Sequence, residues 1–350
     1  MALQIEEIKT PNYEKVVWGK DEAAGLIACI AIHNTNRGPA CGGIRMLPYA
    51  SQEEALNDVL RLAKGMSYKS ALAELGFGGG KSVIVGAPSS KTPALFAAFA
   101  EFLNRLGGLY IAAKDMNISS EDLATIKKNS KHVLGIDGEP GSSGDPSPVT
   151  ARGVLRALEA TSEELTGSKS LSGLRVAIQG IGYVGYSLAE KVVSAGGKIW
   201  VTDIDPKILK KAEKELNAQV VGLEEIYDVD CDVFAPCARG AILNTKTIPR
   251  LKCKAVVGCA NNQLETEADG FRLHERGIIY APDYAVNSGG IINIFVEYGG
   301  YDQQKAFAKA DRVYFTIKEI LQRAKSQRTA PFVIADQLAE ERLAQKLRAK

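Results

Sequence analysis

Histidine is scarce in this sequence, three in 350 residues, and the six cysteines include no C-x-x-C pair. Neither zinc ligation nor a disulfide framework is therefore expected, and Cys29, Cys41, Cys231, Cys237, Cys253 and Cys259 read as reduced, mostly core-filling thiols. No apolar run approaches the roughly 18–20 residues that span a bilayer. The opening MALQIEEIKT also lacks a basic start followed by an apolar stretch, so a cytoplasmic protein without a membrane partner is expected. Charge of one sign is not in surplus: Lys+Arg 43 against Asp+Glu 41 leaves +2, with no basic run interleaved with aromatics, which argues against a nucleic-acid binder. Repeats and low-complexity tracts are absent as well. What remains is 45% hydrophobic and 24% charged, the balance of an ordinary globular protein. Its length suits two domains at roughly 100–200 residues each. Glycine alone is in excess, 34 residues, clustered where a backbone has to approach something closely.

The pattern is mixed α/β. GLIACIAIH (25–33) reads as a strand and residues 34–43 as a turn-rich segment. Ser51 caps a helix through EALNDVLRLAKGM, a strand-turn-strand stretch fills 66–86, and a helix in PALFAAFAEFLNRL precedes a strand in LYIAAKD. The Gly- and Pro-rich run GIDGEPGSSGDPSP (135–148) has too many breakers for a helix or a central strand and marks a domain boundary or hinge. Beyond it lie a helix from Thr150 to about Leu165 and short strands in CDVFAPC, AVVGCA and GIIYAP. A long helical pattern over 304–325 and the charged ADQLAEERLAQKLRAK close the chain. The expected fold class is α/β with two domains, 1–148 and a doubly wound 149–325, the helix of 326–350 completing the first.

The clearest motif is VAIQGIGYVG, a G-x-G-x-x-G placed between a strand and an amphipathic helix. Gly180 permits the tight turn, Gly182 lets backbone N–H groups approach a pyrophosphate, and Gly185 lets helix and strand pack closely. The helix N-terminus favours the phosphates. Asp203, at the end of the next strand IWVTD, can accept both ribose hydroxyls and would repel a 2′-phosphate, so NAD is the expected cofactor; Asp205 ranks second for this role. In the first domain, Lys69 and Lys81 lie twelve positions apart, the second behind Gly78-Gly79-Gly80. An ammonium desolvated there and near a second cation has a lowered pKa and can serve as a general base, while its charged neighbour binds a carboxylate. Two solvated lysines on a turn-rich surface are the plainer alternative.

IAIHNTNRGPACGGIRM, RLAKGMSYKSA, GGGKSVIVG, AKDMN, GSSGDPSPVTARGV, VAIQGIGYVG, APCARGAILN, ANNQL and APDYAVNSGGIINI together resemble the amino-acid dehydrogenase family of leucine, valine, phenylalanine and tryptophan dehydrogenases, leucine dehydrogenases most of all. The resemblance implies a substrate domain and a Rossmann NAD domain, with the active site in the cleft between them. It implies Lys81 as general base, Lys69 on the substrate carboxylate or carbonyl, Asp115 on the amino group, backbone contacts from Gly42 and Gly43, and a contact from Asn262. It implies Thr150 and Asn287 on the nicotinamide carboxamide, Cys237, Ala238 and Asn261 near its ribose, and Tyr183, Val184 and Ile204 beside the glycine turn and Asp203. Cys41, Ala113, Ile291 and Ile294 match the side-chain pocket; all four are uncharged, which disfavours glutamate. The implied reaction is reversible oxidative deamination of leucine, isoleucine or valine to the 2-oxo acid and ammonia. An aromatic or broad-specificity enzyme and a silent NAD-binding regulatory protein are the alternatives. A homo-oligomer, a dimer or larger, is expected; the tail after Arg342 is shorter than in octameric leucine dehydrogenases, so the octamer is not assumed and a smaller assembly stays open.

Overall fold

The computed structural model describes residues 3–346 and divides into two compact units. The first runs to Asp145 and regains Asn293–Gln303 and the chain from Ala339; the second is Pro146–Ile292 with Gln304–Leu338. The sequence reading returns the chain to the first unit once, from 326; the structure returns it twice.

In the first unit β1 (Gln4–Glu7), β2 (Lys15–Asp21), β3 (Leu26–Asn34), β4 (Ala40–Leu47), β5 (Gly78–Val85) and β6 (Tyr110–Lys114) form one sheet in the order β1-β2-β3-β5-β4-β6. β4 runs parallel to both β5 and β6, while the β1-β2-β3-β5 side is antiparallel. One face is covered by α2 (Pro93–Arg105) and α3 (Ser120–Lys127), burying Ile30, Ile44, Phe99, Phe102 and Leu123. The other carries α1 (Gln52–Leu72), whose Ala55, Val59 and Ala63 pack on Val16, Cys29, Ala31 and Val83. Ser51 caps α1 by accepting from Glu54 N at 3.1 Å.

Two sequence expectations change here. Residues 66–72 continue α1 rather than starting a strand, because tertiary packing buries Ser67, Tyr68, Ser70, Ala71 and Leu72 and outweighs local propensity. Residues 40–43 belong to β4 rather than to a turn. Gly42 and Gly43 do not have positive φ; they are there because a side chain would not fit.

The second unit has a wholly parallel sheet of β7 (Arg175–Gln179), β8 (Lys198–Thr202), β9 (Gln219–Val220), β10 (Val233–Pro236), β11 (Ala255–Val256) and β12 (Ile279–Tyr280). Its order, β12-β11-β10-β7-β8-β9, reverses between β7 and β10, the switch point where doubly wound sheets bind ligands. The helices that follow along the chain are α4 (Ser147–Thr166), α5 (Tyr183–Ser194), α6 (Pro206–Leu216), α7 (Glu267–Glu275), α8 (Asp283–Val286), α9 (Gly289–Tyr298), α10 (Gln303–Asp311), α11 (Val313–Gln327) and α12 (Pro331–Ala344), with α9 from Asn293 and α12 from Ala339 belonging to the first unit. The single helical pattern expected over 304–325 is thus two helices that break at Arg312. Asp311 at this break binds Arg152 and Arg156 of α4, each at 2.7 Å. Among the described residues no helix is long and apolar enough to cross a membrane.

Candidate active site

Side chains alternate along a strand, so Cys41, Gly43 and Arg45 of β4 share a sheet face with their β5 neighbours Gly79 and Lys81. This is the α1 face. The three glycines before Lys81 are required by close approach: a Cβ on Gly78 would lie 2.0 Å from Asn34 O, one on Gly79 2.0 Å from Ser67 N, and one on Gly80 2.9 Å from Tyr110. Gly79 therefore lets α1 settle on β5, and Lys69, two residues beyond Ser67, is half-buried on that helix.

Lys81 is 5% exposed, and its Nζ lies 2.9 Å from Asp115 Oδ2. The Asp115 carboxylate, immediately after β6, takes Arg45 Nε on the same oxygen at 3.0 Å. Gly43 leaves the room for this cluster, since a Cβ there would sit 2.5 Å from Asp115 Cβ and 3.2 Å from Lys81 Nζ. Burial pushes the Lys81 ammonium to a lower pKa, and the adjacent Asp115 charge opposes this without cancelling it. Burial acts to raise the Asp115 carboxyl, but the charges of Lys81 and Arg45 outweigh it and hold it below the usual carboxylate range. The result is an ionised carboxylate beside a lysine that gives up its proton more readily than a solvated one. Lys114 points away, exposed and paired with Asp137 at 2.9 Å.

Of the pocket candidates, Cys41 is fully buried, its thiol pushed up to about 12 by burial, and Ala113 is buried on β6 opposite Gly43. Ile294 is half-buried in the first unit, its Cδ1 2.6 Å from where a Gly135 Cβ would stand. Ile291 is buried in the second unit.

At the switch point, Gly180 adopts φ +90° after β7, and a Cβ on it would meet Ala238 Cβ at 2.5 Å. Gly185 in α5 has no room for one either, with Gly180 O at 2.1 Å and Cys237 Cβ at 3.3 Å. Gly182, the N-cap of α5, faces open space, so its backbone is free to approach a ligand. Val184 is half-buried behind it, while Tyr183 and Ile204 are almost wholly exposed. The two candidate acids separate by what they hold. Asp205 is the N-cap of α6, accepting from Lys207 N at 2.9 Å, whereas Asp203 stands at the glycine turn, accepting from Ile181 N at 2.8 Å.

Asn287 donates through Nδ2 to Cys259 O at 3.1 Å and Asn261 Oδ1 at 2.9 Å, while its Oδ1 is buried without a hydrogen-bond partner. An orphaned acceptor of this kind costs free energy unless a donor reaches it, and a carboxamide N–H₂ is such a donor. Thr150, in the first turn of α4, lies against Gly289, leaving 2.3 Å between its Cα and a Cβ placed there. With the open helix N-terminus and the Asp203 carboxylate, these residues fit a dinucleotide. Asn262 sits at φ +51° and donates its N–H to Asp283 Oδ2 at 2.6 Å. Asp283, whose other oxygen accepts from Tyr280 Oη at 2.8 Å, was given no role in the sequence reading, although it lies within APDYAVNSGGIINI. Neither was Arg45, although it lies within the GGIRM stretch.

Two family models match the chain: the "Glu/Leu/Phe/Val dehydrogenase, dimerisation domain" over residues 14–132 and the "Glutamate/Leucine/Phenylalanine/Valine dehydrogenase" over residues 203–338. Leucine dehydrogenase of Thermoactinomyces intermedius is 47% identical over 95% of this chain and 91% of its own length. Phenylalanine dehydrogenase of Lysinibacillus sphaericus is 47% identical over 90% of this chain and 84% of its own length. The crystal structure of L-tryptophan dehydrogenase from Nostoc punctiforme superimposes with a TM-score of 0.89 at 40% identity, covering 97% of each chain. Similarity of this extent, over both units, means that the chain belongs to the Glu/Leu/Phe/Val dehydrogenase family, oxidoreductases that act on the CH–NH₂ group of amino acids.

Proposed function

We propose that the protein catalyses NAD-dependent, reversible oxidative deamination of branched-chain aliphatic L-amino acids, with Lys81 as general base. The observation that carries this reading is the buried Lys81–Asp115 pair, a lysine pushed by burial toward its neutral form next to a fixed carboxylate. The first unit is read as the substrate side and the second as the dinucleotide side.

When bound, the dinucleotide supplies the hydride acceptor for oxidation at the substrate Cα. Thr150 and Asn287 are assigned to its carboxamide, Cys237, Ala238 and Asn261 to the neighbouring ribose, and Gly180, Gly182, Tyr183, Val184 and Gly185 to the pyrophosphate turn. Asp203, with Ile204, is assigned to the adenosine ribose, where its charge favours NAD over a 2′-phosphorylated dinucleotide. Lys69 holds the substrate carboxylate and the backbone of Gly42 and Gly43 lines the site. Asn262 completes the polar contacts, and Asp115 receives the substrate amino group. Neutral Lys81 takes a proton at Nζ from the water that adds to the iminium carbon, and returns it to the departing amino group as ammonia leaves.

Cys41, Ala113, Ile291 and Ile294 offer no charge to a second carboxylate, which supports an aliphatic substrate over glutamate. The small size of Cys41 and Ala113 favours, as a second reading, an enzyme that also takes aromatic side chains. The test is formation of reduced dinucleotide on adding single amino acids, with NADP in parallel. Leucine, isoleucine or valine should exceed phenylalanine and tryptophan in kcat/KM by about tenfold or more. The reverse order selects the aromatic reading, and dinucleotide binding without turnover on any amino acid selects a silent regulatory protein. We further propose a homo-oligomer, supported by the match of residues 14–132 to a segment described as a dimerisation domain.

Gly182→Ala separates stability from cofactor binding. No atom lies within 4 Å of the added methyl, so thermal stability should stay within about 0.5 kcal/mol of the parent. The KM for NAD should nevertheless rise about tenfold, because the methyl occupies the approach to the N–H groups of α5. An unchanged KM would remove the pyrophosphate from this turn.

A further inference from the structure

Arg45 is the most constrained charged side chain near Lys81. Its Nε reaches Asp115 Oδ2 at 3.0 Å and its Nη1 reaches Asp58 Oδ2 at 3.1 Å, so the guanidinium is pinned between two carboxylates and is 14% exposed. Asp58, on α1, is itself held by Tyr49 Oη at 2.8 Å and Arg61 Nη2 at 2.8 Å. Arg45 and Lys81 therefore share one oxygen of Asp115, and the arginine is anchored from behind.

We propose that Arg45 is a positioning residue for the deamination. It fixes Asp115 against Lys81 and remains as that carboxylate's partner when Lys81 is neutral, so that the base can release its proton without leaving a partly desolvated charge alone. This rests on the reading of Lys81 as the base. The physical reason is the cost of an uncompensated carboxylate largely shielded from water, the Asp115 side chain being 26% exposed. With Arg45 in place, loss of the Lys81 proton leaves Asp115 still paired at 3.0 Å; without it, the same proton loss strands Asp115, and Lys81 keeps its proton to higher pH. Arg45 and burial thus lower the Lys81 pKa while Asp115 and Asp58 raise it. The titratable and charged groups on the elements packed against β5 at this face are Cys41 and Arg45 on β4, Asp115 after β6, Asp58 and Lys69 on α1, and His33 on β3. His33 is bonded to Ser67 Oγ at 2.8 Å, and the Cys41 thiol stays neutral.

The experiment is the pH dependence of kcat/KM for the amino acid in the parent, Arg45→Met, Arg45→Lys, Asp58→Asn and Lys81→Ala proteins, each with a thermal melt and a KM for NAD. A general base acts when deprotonated, so activity rises with pH through its pKa. In Arg45→Met the acid limb should move upward by about one to two pH units, with KM for NAD within about threefold of the parent. Arg45→Lys, which keeps the charge but loses the fork, should return the limb most of the way to its parent position. Asp58→Asn removes an anion and should move the limb the other way or leave it in place; it keeps the proposal testable if Arg45→Met does not fold. A lowered melting temperature with an unmoved limb in Arg45→Met, or an upward shift in Asp58→Asn, overturns the proposal. If instead Lys81→Ala keeps its turnover, the assignment of the base fails first. An inactive Lys81→Ala combined with an unmoved limb in Arg45→Met isolates the failure to Arg45.

Discussion

Lys81→Ala should lower kcat/KM for amino-acid oxidation by at least about 10²–10⁴-fold, the usual contribution of a positioned acid or base. The folded state should persist, because the carboxylate left behind, Asp115, keeps Arg45 Nε at 3.0 Å and is not stranded. NAD affinity should remain within about threefold, as the glycine turn and Asp203 share no residue with the Lys81 cluster. The two readouts together make the result specific: a protein that melts normally and binds NAD but does not turn over has lost the base alone. Partial recovery with added small primary amines, rising with pH, would show that a free amine can replace the Nζ. Retained turnover on the unassisted variant would refute Lys81 as the base.

Gly42→Ala should be among the most damaging single methyls in the first unit. The added Cβ would lie 1.9 Å from Gly80 O and 2.9 Å from Gly80 C, and these are backbone atoms of the neighbouring strand rather than the end of a flexible side chain. β4 and β5 would have to separate where Cys41 pairs with Gly79, which also displaces Gly43 from Asp115. A loss of about 3 kcal/mol or more is expected, at the upper end for overpacking. That corresponds to a melting temperature lower by roughly 6–12 °C, with loss of activity before unfolding. Gly65→Ala is the matched control: it sits within α1 with nothing within 4 Å of the new methyl, and should be neutral or stabilising by up to about 1 kcal/mol. Equal melting temperatures for the two variants would mean that the β4–β5 approach is looser than these distances require.

The same two kinds of glycine explain what was legible. The fingerprint around Gly180, Gly182 and Gly185 could be read because all its parts are contiguous: a strand, a turn requiring φ +90°, and a helix N-terminus follow one another in ten residues, VAIQGIGYVG. Gly42 and Gly43 misled the reading because glycine first suggests a turn, whereas here both lie in an extended strand and their role is to make room for partners that arrive from β5 and after β6. The helix read through EALNDVLRLAKGM already contained Gly65, and α1 runs past it to Leu72, since a helix tolerates one glycine at about 1 kcal/mol when its other face is buried.

Ionic partnerships were legible least. Arg45, Asp58, Asp115 and Lys81 come from β4, α1, the end of β6 and β5, and no local pattern links them. Likewise the sequence could not show that Asp203 accepts from Ile181 N at the glycine turn while Asp205 caps α6. By itself, the sequence determined the α/β class and the strand–glycine turn–helix at Gly180 to Gly185, because periodicity and short-range motifs reflect backbone geometry within a few residues. Only the tertiary structure decided that β4 is a strand, that Lys81 is buried, and that Arg45 shares Asp115 with it. Those outcomes depend on which distant elements pack within a few ångströms of each other, and burial and charge pairing act through space rather than along the chain.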